Sequence, residues 1–202
     1  TEAQFDVFLG KVGLTRTTMA ETLNPSTALT FWLGGPLIDG QPRGFHSDPA
    51  EPFKIGEPRT KPYFDFDNNR LGGYQFFPAK IQPASPYVYF RAVKIGANYE
   101  YGAVDGTTFI PYQIGEGNNI CVAYLEDAAN ENPVGAADKR AWRAPETYQI
   151  LSAGLDGVYS TADGTPPVAP SAFRVSRLGV GFSSGDYDNL ASFAEGELEA
   201  EL

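Results

Sequence analysis

Tyr148-Gln-Ile-Leu-Ser-Ala-Gly-Leu-Asp-Gly157 is the stretch on which the reading of this chain turns. Tyr148, Ile150 and, less strictly, Leu151 have the character of a strand. The strand runs into Ser152-Ala-Gly-Leu-Asp-Gly157, where two glycines permit tight backbone geometry. Residues 158–185 are rich in Gly, Pro and Ser, and Asp186-Tyr-Asp-Asn-Leu-Ala-Ser-Phe193 then brings Asp186, Asp188 and Asn189 into one short cluster. Carboxylates so close repel one another unless they are solvated or share a cation. A hard cation such as Ca²⁺ takes oxygen ligands from carboxylates, amides and backbone carbonyls, and irregular loops supply all three.

In these two segments the chain resembles the type IV pilin superfamily, and within it the major pseudopilin of type II secretion. Such proteins end in a strand, a Ser-x-Gly-x-Asp-Gly loop and an acidic segment, with calcium between the last two. Ser152, Gly154, Asp156 and Gly157 match the loop, and Asp188, Asn189, Leu190, Ser192 and Phe193 stand where the acidic segment falls. The spacer is longer here, and Phe193 replaces a tryptophan. Leu23–Pro36 and Pro86–Phe90 are similar to segments of the enlarged pilin-like proteins of planctomycete-type bacteria.

The resemblance implies an α+β fold, an N-terminal helix packed on an antiparallel β-sheet with long loop insertions. It implies one head domain over residues 1–202, lacking its apolar stem helix and ending in an acidic tail at 194–202. It also implies a calcium ion held by the side chains of Asp156, Asp186, Asp188 and Asn189 with carbonyls near Ala153 and Val158. The implied function is structural, a filament subunit that self-assembles through the missing helix with other pilin-like subunits or secreted cargo. Such a protein is extracytoplasmic and anchored in the inner membrane before assembly, touching membrane only through that helix. The residues alone leave another reading of the acidic turns open, in which Asp156 caps its own turn as an Asx motif and the later aspartates are solvated.

Composition narrows the alternatives. A chain of 202 residues with 42% apolar, 13% aromatic and 20% charged side chains is globular and large enough to bury a core. Its 22 glycines and 16 prolines favour strands and ordered loops over a helical bundle. A formal net charge of -10 without a basic stripe argues against a nucleic-acid partner. The single cysteine, Cys121, excludes an intrachain disulfide, and Asn119-Ile-Cys-Val-Ala-Tyr124 reads as a strand with a buried thiol. With one histidine and one cysteine the chain lacks a zinc ligand set.

Taken in order, Phe5, Phe8, Leu9 and Val12 have helical spacing, so residues 1–14 read as an amphipathic helix weakened by Gly10 and Gly13. Asn24-Pro25 reads as a helix start, Leu29, Phe31, Trp32 and Leu33 as its apolar face, and Gly34-Gly35-Pro36 as its end. Residues 37–86 read as a long ordered excursion pinned by aromatic rings. Strands are expected at Tyr87–Phe90, Thr107–Ile110, Ile120–Tyr124 and Tyr148–Leu151, joined by spans long enough to be insertions over the sheet. Asp65 and Asp67 are a pair suited to acid-base chemistry or to a solvated edge near Arg70. His46 lacks the Gly-x-Ser-x-Gly elbow of a hydrolase. The second functional reading is a secreted carbohydrate- or protein-binding β module with a calcium-stiffened loop.

Overall fold

The computed structural model describes residues 23–79, 85–105, 108–116, 119–126, 141–159, 174–175 and 188–194. The chain divides into two compact units, Thr1–Ala79 and Lys80–Leu202.

In the first unit Asn24 opens a turn. Its Oδ1 accepts from the Ser26 amide at 2.9 Å, and its carbonyl accepts from the Thr27 and Ala28 amides. Helix α1, Ala28–Gly34, follows with Thr27 at its N-cap, whose hydroxyl turns back to the Asn24 amide and carbonyl and does not cap the helix. The helix start expected at Asn24-Pro25 is therefore corrected: these residues form the turn before the helix, which begins three residues later than expected, at Ala28 with Thr27 as its N-cap. Gly35 ends the helix at φ 77, its amide bonded to the Phe31 carbonyl. Two short ribbons follow among the described residues of the unit: β1 (Leu37–Ile38) with β2 (Gln41–Pro42), and β3 (Leu71–Gly72) with β4 (Gln75–Phe76). The first turns through Asp39 and Gly40, both at positive φ, the Asp-Gly chemistry of a two-residue hairpin.

Rings hold these pieces together. Phe31 stacks on Phe53 at 5.4 Å and meets Phe45 and Tyr74 edge-on, and the Tyr74 hydroxyl accepts the Leu37 amide at 3.0 Å. Phe66 meets Phe76 at 5.1 Å, with the Arg70 guanidinium 4.2 Å over Phe76 and its Nε donating to the Phe77 carbonyl. Of the excursion expected over residues 37–86, the part at 37–79 is pinned by these rings.

The second unit is a run of short hairpins closed by a central strand. β5 (Val88–Arg91) is followed by β6 (Val93–Ile95) and β7 (Asn98–Glu100), then β8 (Gly102–Asp105) and β9 (Thr108–Pro111), then β10 (Gln113–Glu116) and β11 (Asn119–Val122). β12 (Tyr124–Leu125), β13 (Tyr148–Ser152), β14 (Arg174–Val175) and β15 (Leu190–Ala191) complete it. β13 lies between β5 and β15, antiparallel to both, and β12 runs parallel to β14. The core gathers Val88, Phe90, Tyr101, Leu125, Trp142 and Leu151, none more than 1% exposed. The Trp142 indole donates to Glu100 Oε2 at 2.7 Å, and burial raises the Tyr101 phenol far above its ordinary range.

One buried side chain acts as a piece of sheet. Gln149, on β13, accepts the Tyr124 amide at 2.8 Å and donates to the Tyr124 carbonyl at 2.9 Å, with a further bond to the Arg143 carbonyl. Its amide thus satisfies both backbone groups of a residue buried in the core.

The expected α+β architecture is corrected by this structure. Among the described residues the chain is mostly β, in several small antiparallel sheets, with no N-terminal helix laid on a sheet. The α-helix among the described residues, α1, is seven residues long and packs on the β2 and β4 ribbons of its own unit. The physical reason is the glycine and proline load, which stops helices early and cuts strands to a few residues. Part of the spans expected to hold insertions is instead short paired strands, as at β6 and β7, where Gly96, at φ 62, sits in a two-residue turn. The amphipathic helix expected over residues 1–14 lies outside the described residues.

Candidate functional site

The carboxyl end of β13 and the start of β15 meet, and this places two acidic turns against each other. Leu151 and Ser152 pair with Ala191 and Leu190, and the Ser192 hydroxyl accepts the Ile150 amide at 3.0 Å. Beyond Ser152 the chain turns through Ala153-Gly-Leu-Asp-Gly157, closed by Gly157 N–H on the Gly154 carbonyl. The two segments touch so closely that a Cβ on Gly154 would lie 2.0 Å from the Asp188 carbonyl oxygen and 2.3 Å from its carboxyl carbon. Glycine at position 154 is the condition for this approach.

Asp156 is exposed, and its Oδ1 accepts the Val158 amide at 2.9 Å, which is an Asx turn. Asp188 is not simply solvated. Its Oδ2 accepts the Asp156 amide at 3.1 Å, while Oδ1 is buried without a hydrogen-bond partner. A buried carboxylate oxygen left so costs roughly 1–3 kcal/mol.

Asn189 is fully buried and serves as a clamp. Its Oδ1 accepts the Gly154 amide at 3.3 Å, and its Nδ2 donates to the Tyr159 carbonyl and the Tyr124 hydroxyl. The amide is thus turned inward, toward protein groups. Ala153 is buried, and its carbonyl accepts the Ser152 hydroxyl at 3.2 Å. Val158 lends its amide to Asp156, and Asp186 lies outside the described residues. Among the described residues no group of three or more His, Cys, Asp or Glu converges.

The residues present fit a hard cation through Asp156 and Asp188. Both offer carboxylate oxygen, both sit on turns that face one another, and Asp188 Oδ1 is a buried acceptor that a cation would satisfy. When bound, calcium would supply charge neutralisation and a crosslink between segments distant in sequence.

Several partners of this site were not singled out in the sequence. The Tyr159 hydroxyl donates to the Pro86 carbonyl at 2.6 Å and lies 3.0 Å from that of Leu151, and its amide donates to Asn119 Oδ1. Burial pushes this phenol well above its ordinary range, with the nearby Cys121 thiol adding to the effect. The Asn119 amide continues to the Ser85 hydroxyl, which donates to the Gly157 carbonyl. Phe193 meets Tyr124 at 6.0 Å beneath the Arg143 guanidinium. Polar residues near a glycine turn were the available signal, but the partners come from strands far along the chain.

The other residues suggestive of chemistry have local structural duties. His46 Nδ1 accepts the Asp48 amide. Asp67 caps the 3-10 turn Asn68–Arg70 through the Asn69 amide. Cys121 is buried. No family model matches this chain, and neither the curated proteins nor the solved structures give a significant match. Among the described residues no helix is long and apolar enough to cross a membrane.

Proposed function

We infer that this chain is the head of a structural, non-enzymatic subunit in a type IV pilus-like or type II secretion pseudopilus filament. The observation that supports this reading is the seating of Asp188 and Asn189 on the Ser152–Gly157 turn, across a long spacer in sequence. Two loop segments joined by hydrogen bonds make a stiff pair of turns, suited to a surface that contacts neighbouring subunits. The partners are then other pilin-like subunits or secreted cargo, and the place of action is outside the cytoplasm after anchoring in the inner membrane. Calcium between Asp156 and Asp188 stabilises the folded head by mass action, about 4 kcal/mol when its concentration is a thousand times the dissociation constant.

Shearing surface filaments from the native cells and identifying this chain by mass spectrometry tests the filament reading. Peptides in the sheared fraction that vanish when the prepilin peptidase is deleted support it. Recovery only as a free protein in the medium or cell extract rejects it. Calcium is tested apart, by melting the purified chain in chelator and in millimolar calcium, where a raised midpoint is expected and an unchanged one rejects the ion.

A further inference from the structure

The first unit carries an open cleft of about 600 Å³, walled by the β1–β2 ribbon and by residues between 57 and 68. One wall is fixed by Arg59, whose guanidinium and Nε donate to the carbonyls of Gly44 (2.6 Å), Lys54 (2.7 Å) and Arg43 (3.1 Å). Behind it Gly44 approaches the Thr60 carbonyl too closely for any Cβ, and the Thr60 amide donates to the Phe45 carbonyl. A wall tied down in this way exists before any ligand arrives, which lowers the ordering cost of binding.

With Arg59 engaged, the lining keeps two other cations, Arg43 and Lys61, and three carboxylates, Asp39, Glu57 and Asp65. Among the described residues no hydrogen bond or ion pair engages the side chains of Arg43, Lys61, Asp39 or Asp65, whereas Glu57 accepts the Arg59 amide. Three cations against three carboxylates make the lining formally neutral, in a chain of net charge -10. Such a lining has strong donors and strong acceptors but no net field to select an anion or a cation. Phe64, 47% exposed, adds an apolar surface held in place from below by Phe66 at 4.7 Å.

A neutral sugar answers this combination. Each hydroxyl both donates and accepts, so cationic and carboxylate side chains serve it equally, and the C–H face of a pyranose covers an aromatic ring. We propose that this cleft binds a neutral oligosaccharide, with Phe64 as the platform and Arg43, Lys61, Asp39 and Asp65 as hydroxyl partners. The site does not depend on the filament reading, because a filament head and a free secreted module could each carry it.

Calorimetry on the full chain with cellohexaose, chitohexaose, maltohexaose and xylohexaose, each to about 10 mM, tests the proposal. At least one should bind, and Phe64→Ala and Arg43→Ala should each weaken that binding by about tenfold or more with the melting midpoint retained. Should Phe64→Ala disturb folding through Phe66, Lys61→Ala replaces it, since that side chain is exposed and makes no described bond. Absence of binding by all four sugars, or binding that the variants leave unchanged, overturns the site. Tighter binding of hexagalacturonate or of an acidic peptide than of any neutral sugar overturns it too, because the cleft would then select charge.

Discussion

Substituting Gly154 by alanine probes whether the two acidic turns truly depend on each other. The added methyl would meet the Asp188 carbonyl oxygen at 2.0 Å and its carbon at 2.4 Å, where ordinary contact begins at 3.4 Å. These are backbone atoms, so no rotamer change relieves the overlap, and the segments must part by roughly 1 Å. The φ of Gly154 lies outside the left-handed region, so the effect is steric and not conformational. Parting weakens the bonds from Gly154 N to Asn189 and from Asp156 N to Asp188, at 3.3 and 3.1 Å. Overpacking and two lost bonds together amount to about 3 kcal/mol. For a chain of this size that lowers the melting midpoint by about 6–12 °C. Gly40→Ala is the control, since nothing lies within 4 Å of its Cβ and only its φ of 75 is strained. Its cost is about 1 kcal/mol. Differential scanning calorimetry separates the two, and a Gly154→Ala midpoint equal to wild type, or to the control, would refute the argument.

Three further outcomes follow from named contacts. Gln149→Leu keeps bulk but removes the side-chain acceptor of the Tyr124 amide and a donor to each of the Tyr124 and Arg143 carbonyls, while the Arg143 amide still bonds the Tyr124 carbonyl, so denaturant unfolding should show a loss of about 1–3 kcal/mol. Burial raises the phenols of Tyr101 and Tyr159 above their ordinary range, so these groups ionise first in the unfolded chain. Their contribution is therefore full below about pH 10 and falls above it by about 1.4 kcal/mol per pH unit for each tyrosine, which stability measured against pH will show. A flat profile through that range would contradict their burial. Asp188→Asn removes a charge at an oxygen that lacks a partner, so in chelator it should melt at or above the wild-type midpoint, and it should abolish any rise with calcium. A markedly lower midpoint in chelator would show that the carboxylate is stabilising without a cation.

Local chemistry carried much of the second unit. Tyr148–Leu151 and Tyr87–Phe90 read as strands from side-chain type alone, and both appear within a residue of where they were expected. β9 and β11 fall at the expected strands Thr107–Ile110 and Ile120–Tyr124, whereas β6, β7, β8 and β10 are not expected from side-chain pattern because three- and four-residue strands such as Val93-Lys-Ile95 are too short to show alternation. The glycine of the turn between β6 and β7, Gly96, is the better signal. Trp32 illustrates the opposite failure, since helical spacing placed it on an apolar face whereas the short helix leaves it 44% exposed.

By itself the sequence determined what depends on neighbours along the chain: the strands of aromatic and branched residues, the glycine stop of the short helix at Gly35, and the excess of acid over base. The tertiary structure decided what depends on residues distant in sequence. It alone turned Asn189 inward to Gly154, Tyr159 and Tyr124, let Gln149 stand in for a strand, and replaced the expected helix-backed sheet with small ribbons. The reason is that a buried polar group must find partners wherever packing brings them, and the spacing of residues along a chain does not encode which turns will meet.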